Sequence, residues 1–313
     1  MSATALISAL SGTNSLKAAS LFDVRGWVAV VTGGGTGLGL VTALALAENG
    51  AKVYITGRRP EPLDEAAKAF ATRTSAANGA GEGGAIVAVQ ADVSTKEGIQ
   101  KLVAAVGKDE KFINLLVNNH GVSQGATDIT AVEQTPEALS KHMFDGEEFD
   151  TWLSTYRINS ASYYFTSFAF LPLLAAAKSV GGFPEPGNII NISSMSGVTI
   201  TSQRGQFNYN ASKAATLSLS HQLATEFTRA GFGIRVNTVL PGYFPSGMTV
   251  IPNESNTGSV ADSAVFKNKW GIPFARPGNA REYAGAILSL ATNSYVTGAE
   301  HLIDGGWMID QAF

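Results

Sequence analysis

A short apolar run, Trp27 to Thr32 (WVAVVT), breaks off into glycines and is followed by an Ala/Leu-rich stretch that stops at Asn49-Gly50. A Val-rich run of this length reads as a strand buried on both faces. The stretch after it reads as a helix, with the Asn-Gly pair as its stop signal. Strand, glycine turn and helix in that order give a glycine motif meaning. Gly33, Gly37 and Gly39 fit GxxxGxG rather than GxGxxG. The physics is shared by both spacings: glycines let the backbone approach a pyrophosphate, whose charge sits at a helix N-terminus. Gly33, Gly35, Thr36, Gly37, Leu38 and Gly39 are therefore the first candidate binding residues.

A second strand, Ala51 to Thr56, ends in Gly57-Arg58-Arg59. In a dinucleotide fold this strand end faces the adenosine ribose, roughly 20 residues after the glycines. An acid there would grip the 2′-hydroxyl of NAD(H). Glycine and two arginines instead attract a 2′-phosphate, which favours NADP(H) over NAD(H). Arg58, nearest the strand end, is the candidate; two solvated loop arginines are the alternative.

A helix from Leu63 to about Thr74 precedes a Gly/Ala-rich linker, Asn78 to Gly84. A third strand, Ala85 to Ala91, runs into Asp92-Val93, and Ser94 is placed to cap a helix starting near Lys96. A fourth, Ile113 to Val117, runs into Asn118-Asn119-His120-Gly121. Strands alternating with helices argue for a parallel, doubly wound sheet. The chain has 313 residues, 45% of them hydrophobic, enough for one large α/β core or two small ones. No internal repeat or second domain is visible.

Composition narrows the function. The formal net charge is −3 with no basic block, so neither nucleic acid nor an anionic membrane surface is indicated. There are no cysteines, and the four histidines show no metal-ligand spacing, so no metal is expected. No apolar run reaches the roughly 18 residues of a membrane span. Residues 1–20 contain Lys17 but no arginine or acid, which fits a flexible or docking extension better than a transit peptide. Gln311-Ala312-Phe313 is not a peroxisomal signal. A cytoplasmic protein is the default expectation.

Farther on, Tyr209-Asn210-Ala211-Ser212-Lys213 sets a phenol and an amine four residues apart. On a helix these share a face. An ammonium beside a phenol favours the phenolate, and a phenol lowered in this way exchanges protons near neutral pH. A packed tyrosine beside a solvated lysine is the plain alternative.

From about Leu21 to Gly306 the chain resembles the single-domain short-chain dehydrogenase/reductase family. The glycine turn resembles the family's TGxxxGxG, and Asp92-Val93 its adenine-contacting Asp-Val pair. Asn118-Asn119-His120-Gly121 resembles NNAG, with histidine in place of alanine. That histidine reads either as a substrate contact or as a side chain turned outward. The resemblance implies a Rossmann fold: a doubly wound, seven-stranded parallel sheet with helices on both faces, spanning 21–313. Asn119 and Gly121 then line the cofactor path. Asn159 takes the place of the asparagine that helps hold a relay water. Asn188 to Ser193 is a fifth strand, after which the family places its catalytic serine. Aligning on Gly197 selects Ser194, while counting back from Tyr209 selects Ser196, because the interval is two residues longer than usual. The strand end favours Ser194. Tyr209 is the implied acid/base, and Lys213 the residue that tunes it and bonds the nicotinamide ribose. Pro241, Gly242 and Ser246 resemble PGxxxT beside the nicotinamide. Residues 243–273 make the substrate loop, with Tyr243, Phe244, Met248, Val250, Phe266 and Trp270 available for an apolar pocket. Asp304-Gly305-Gly306 resembles the family's closing motif.

The resulting expectation is an NADP(H)-dependent carbonyl reductase, resembling 3-oxoacyl-carrier-protein reductases, acting on a small carbonyl or alcohol substrate. A homodimer or homotetramer is the family expectation. The rival readings are an NAD-preferring alcohol or polyol dehydrogenase, and a cofactor-binding scaffold without turnover.

Overall fold

The computed structural model describes residues 2–10, 15–76, 84–246 and 265–310. Two short exposed helices, α1 (Ala3–Ala9) and α2 (Ala18–Leu21), precede the sheet. There follow β1 (Val28–Thr32), α3 (Gly37–Glu48), β2 (Lys52–Gly57), α4 (Pro60–Ala76), β3 (Ala85–Gln90), α5 (Lys96–Asp109) and β4 (Leu115–Asn118). Next come α6 (Pro136–Asp145), α7 (Phe149–Tyr156), a π-helical turn at Arg157–Ala161, and α8 (Ser162–Ser179). The chain continues through β5 (Asn188–Ile192), a short turn at Met195–Gly197, α9 (Phe207–Arg229), β6 (Arg235–Pro241), α10 (Ala280–Thr292), β7 (Glu300–Ile303) and α11 (Trp307–Asp310). Most of the Asn78–Gly84 linker, Met248, Val250 and Gln311–Phe313 lie outside the described residues.

The seven strands form one parallel sheet in the order β3-β2-β1-β4-β5-β6-β7. The chain winds outward from β1 to β3, returns to β4 on the other side of β1, and winds outward again. The connections from β1 and β4 therefore leave in opposite directions, and the crevice at their carboxyl ends is where such sheets bind ligands.

Strand periodicity explains the two cores. Ala29, Val31, Val53 and Ile55 point to one face, where they meet Leu46, Leu63, Phe70, Tyr283 and Ile287. Val28, Val30 and Tyr54 point to the other, against Leu102, Val106, Phe170, Leu174, Leu223 and Phe227. Alternate residues of one strand thus bury both faces, as helices on either side of a parallel sheet require. All five residues of β1 and all five of β5 are buried.

Two local features differ from the sequence expectation. The helix read from Leu63 begins at Pro60, because proline is tolerated in a first helical turn. The cap of α5 is Thr95, not Ser94: Thr95 Oγ1 accepts from Gly98 N at 3.1 Å. Ser94 instead gives its hydroxyl to Asp92 Oδ1 at 2.7 Å, a nearer and charged acceptor.

A buried polar ladder pins the middle of the sheet to the helices behind it. Asn118 Nδ2 donates to Asn191 Oδ1 at 2.9 Å and to Ser167 Oγ at 3.2 Å, and Asn191 Nδ2 donates to Ser220 Oγ at 2.9 Å. One ladder therefore joins β4, β5, α8 and α9 below the crevice. Replacing Asn191 by alanine removes the acceptor of one Asn118 N–H and the donor to Ser220 Oγ, leaving the Asn118 amide only Ser167 and the Ser220 hydroxyl only Thr216 O. The expected cost is about 1–3 kcal/mol in urea-unfolding free energy; an unchanged unfolding midpoint would show that the ladder carries no stability.

Candidate active site

The glycine turn fills the crevice floor because little else fits. Gly33 has φ of 64°, and a Cβ there would stand 3.0 Å from His120 Cα. A Cβ on Gly39 would lie 2.2 Å from Gly33 O, which rules out any side chain at that helix position. Asn119 Nδ2 secures the turn by donating to Thr32 O at 3.0 Å and Gly33 O at 3.2 Å. Thr36 caps α3 without any side-chain hydrogen bond to the helix N–H groups. Those donors stay directed at the crevice, where an anion meets both hydrogen bonds and the positive end of the helix dipole.

The crevice is an open cleft of about 1110 Å³. Gly33, Gly35, Thr36, Gly37, Leu38 and Gly39 line its floor. At one end Arg58 and Arg59, both exposed, stand beyond β2, and among the described residues neither has an ion-pair or side-chain hydrogen-bond partner. Asp92 and Val93 line the same end. The Asp92 carboxyl is held below its ordinary range although burial opposes this: Ser94 bonds it with both N–H and hydroxyl, and Arg58 and His120 add to the effect. Gly121, Pro241, Gly242 and Ser246 line the other end, with Ser246 Cβ 3.4 Å from where a Gly37 Cβ would stand.

At that second end several hydroxyls and an amine converge. Ser194 follows β5 and opens the turn Met195–Gly197; its Oγ accepts from Ser196 N at 3.1 Å. The Ser194 hydroxyl itself donates only a long bond to Pro241 O at 3.5 Å, and it lines the cleft together with Tyr209. Ser196 also lines the cleft, but its hydroxyl is given to Gln203 Oε1 at 2.6 Å. Residues 198–206 form the loop ahead of α9.

The tuning of Tyr209 departs from the sequence expectation. Burial raises the phenol above its ordinary value, and the Ser194 hydroxyl only partly offsets this. Lys213 does share the helix face, with Nζ 5.8 Å from the Tyr209 ring centroid. Its ammonium, however, donates to Ile192 O at 2.9 Å. Lys213 is itself 3% exposed, and burial lowers its pKa to about 7. Spacing alone put charge beside the phenol; desolvation of both groups reverses the outcome.

Asn159 lies in the π-helical turn, fully buried. Its Oδ1 accepts from Val122 N at 2.8 Å, and its Nδ2 donates to Val122 O at 2.9 Å and Ser212 Oγ at 3.0 Å. Both amide protons are thus spent inside the protein, and the side chain clamps the strip after β4 to α9. Gly121 in this strip passes so near that a Cβ would stand 3.2 Å from Asn159 Oδ1 and 3.5 Å from Lys213 Nζ.

His120 is neither turned outward nor a free contact. Nδ1 lies 2.7 Å from Thr32 Oγ1 and Nε2 2.5 Å from Ser162 Oγ. Ser162 also donates to Ile158 O at 2.8 Å and Thr32 to Val117 O at 3.2 Å, so the ring is held between two hydroxyls that each have a second partner. Burial and the nearby Lys213 lower its pKa to about 3, which keeps the ring neutral.

Of the aromatic pocket candidates, Tyr243, Phe244 and Trp270 line the cleft, while Phe266 is fully buried against Met195, Ile272 and Trp307. Gln203, Arg204 and Trp307 also line the cleft, and sequence reasoning passed over them. The signal available for the first two was the longer interval before Tyr209.

Known proteins share these features. The short chain dehydrogenase family model matches residues 27–256. The short-chain dehydrogenase/reductase PhomF of Diaporthe leptostromiformis is 38% identical over 299 residues, covering 94% of this chain and 95% of its own. A rhamnolipids biosynthesis 3-oxoacyl-[acyl-carrier-protein] reductase of Pseudomonas aeruginosa is 34% identical over 288 residues, covering 91% of this chain and 98% of its own. Among solved structures, the Pseudomonas aeruginosa RhlG/NADP active-site complex superposes with a TM-score of 0.72 at 34% identity, covering 92% of this chain and 98% of that one. With its sheet order, glycine turn and cleft, the chain belongs to the short-chain dehydrogenase/reductase family of oxidoreductases.

Proposed function

We propose that the protein is an NADP(H)-dependent carbonyl reductase, interconverting a ketone and a secondary alcohol. The observation that carries this reading is the convergence of Ser194, Tyr209 and the buried Lys213 on one end of the cleft. The cleft suits the cofactor in its chemistry: close-approach glycines and uncapped helix N–H groups for the pyrophosphate, and unpaired arginines at the ribose end. Arg58 would hold the 2′-phosphate, Asp92 and Val93 the adenine, and Asn119, Gly121, Pro241, Gly242 and Ser246 the nicotinamide half. The structural relative described as an NADP complex favours the same cofactor. Bound there, the nicotinamide supplies or accepts hydride.

The protein's own residues manage charge and protons. As the carbonyl oxygen gains negative charge, Ser194 donates a hydrogen bond to it, its acceptor side already filled by Ser196 N. Tyr209 delivers its phenolic proton to the same oxygen. A phenol raised by burial stays protonated through the neutral range, so Tyr209 is poised as the proton donor. Asn159 holds the Gly121–Val122 strip over Lys213, and the spare acceptor capacity of its carbonyl oxygen is what a relay water would use. The alternative of a scaffold without turnover gains nothing from this convergence.

Three measurements test the reading. Tyr209→Phe should lower kcat for ketone reduction by about 10²–10⁴-fold, with NADPH affinity kept; Ser194→Ala should follow it and Ser196→Ala should not. Full activity in Ser194→Ala would reassign the serine. Second, Arg58→Ala should weaken NADPH binding by about tenfold, the scale of one charge-assisted contact, and leave NADH little changed. A wild-type preference for NADH would refute the assignment of Arg58.

The third concerns stability. The pKa of Lys213 is lower in the folded protein, about 7, than the ordinary 10.5, so the unfolded chain binds more protons between these values. Stability contributed at this site rises with pH across that window, and the full burial cost of the ammonium applies below it. In the absence of cofactor, Lys213→Met should stabilise the protein more at pH 6.5 than at 9.5 by denaturant unfolding. A pH-independent difference would show that Lys213 titrates normally.

A further inference from the structure

The loop ahead of α9 contains an unusual backbone. Gln203 and Arg204, neither a glycine, have φ of 50° and 68°, and Gly205 follows at 110°. Two consecutive left-handed side-chain-bearing residues are costly and persist only where their surroundings enforce them. Here the brace is visible. Arg204 Nη2 donates to Asp128 Oδ2 at 2.6 Å and to Thr130 Oγ1 at 3.3 Å, and Arg204 O accepts from Ile129 N at 3.3 Å. A Cβ on Gly205 would stand 2.0 Å from Thr127 O, so the turn is pressed against the 127–130 segment. Asn210 Nδ2 closes the loop from below through Thr201 O at 3.1 Å.

The braced turn delivers one side chain to the reacting end of the cleft. Gln203 is half-buried and lines the cleft together with Ser194 and Tyr209. Ser196 Oγ donates to its Oε1 at 2.6 Å, and Ser196 N in turn donates to Ser194 Oγ at 3.1 Å. The amide is therefore two hydrogen-bond links from the serine that meets the carbonyl. Its orientation is fixed by Ser196, since a flipped amide would leave Oε1 facing only a thioether. In the observed orientation, among the described residues, Nε2 has Met195 Sδ at 3.6 Å as its one side-chain acceptor. A thioether is a weak acceptor, so the N–H groups of Gln203 are available to something better.

We infer that Gln203 is a specificity-determining residue: its Nε2 donates to a second oxygen of the substrate, a few bonds from the carbonyl that meets Ser194 and Tyr209. The favoured class is ketones bearing a neighbouring hydroxyl or carbonyl acceptor, over plain ketones of the same shape. The inference rests on the carbonyl-reductase reading for the identity of the reacting group. It also accounts for the strained turn, because a glutamine on a relaxed loop would not be held at this distance. A site built to hydrogen-bond a substrate group discriminates strongly against the analogue that lacks it.

Benzoin and deoxybenzoin share one skeleton and differ in a single hydroxyl beside the ketone, and both suit a cleft walled by Tyr243, Trp270 and Trp307. The wild-type protein with NADPH should favour benzoin by about tenfold or more in kcat/KM. Gln203→Met keeps the length of the side chain without its N–H groups, and should reduce that ratio by about tenfold. A ratio unaltered by the substitution, including a parallel fall for both ketones, would overturn the assignment. Calorimetric binding of each ketone to the protein with NADP⁺ makes the same comparison without turnover. Tighter binding of benzoin that Gln203→Met abolishes, with no reduction of either ketone, would uphold Gln203 and refute the reductase reading. Equal binding of the two ketones to the wild type, or binding of neither, would overturn the role of Gln203.

Discussion

The hydroxyl of Thr32 holds the crevice open. It lies where β1 ends, at the point from which the chain departs to opposite sides of the sheet. Four contacts meet on this one oxygen: Val117 O at 3.2 Å, Asn119 N at 2.9 Å, His120 N at 3.3 Å and His120 Nδ1 at 2.7 Å. The strip after β4 is thereby fixed to the end of β1. Asn119 then reaches back to the glycine turn, and His120 reaches forward to α8 through Ser162. The phosphate-binding half and the reacting half of the cleft are thus referenced to the same point. Tyr163, packed edge-on against the His120 ring, gives its hydroxyl to His120 O at 2.8 Å and continues the connection toward β5.

The parts of this arrangement that follow from local pattern were legible in the sequence. Val-rich runs bounded by glycine give the strands, and alternation with helices gives a parallel sheet. Glycines in close approach are legible too, since Gly33 and Gly39 admit nothing larger. What depended on long-range burial was not. Tyr209 and Lys213 share a helix face, as their spacing requires. The sequence could not show that Ile192 O would take the ammonium, nor that both groups would be stripped of water. His120 illustrates the same limit: its position on the strip was clear, but the partners that draw the ring inward come from β1 and α8. The cap of α5 failed for a nearer reason, because Asp92 competes for the Ser94 hydroxyl.

Two sets of buried polar side chains are joined by hydrogen bonds near the site. The ladder of Asn118, Asn191, Ser167 and Ser220 lies beneath it, and Asn159 with Ser212 and Val122 stands beside it. Buried amides of this kind have few alternative arrangements, since each lost partner exposes another unsatisfied group. They make the scaffold stiff where the loops around it are free to differ. That division fits a fold in which chemistry resides in fixed strand ends and selectivity in the connections between them.

The π-helical turn at Arg157–Ala161 bears on how this protein can change over time. A turn of this kind holds one residue more than the α-helical ladder on either side of it. Loss of that residue would restore a regular helix, keeping the flanking faces in phase but removing the local bulge that carries Asn159. Asn159 would then no longer meet both Val122 and Ser212. Single substitutions leave this count untouched, whereas a one-residue deletion cannot. The helix running from Phe149 to Ser179 is therefore open to drift in composition but closed to drift in length.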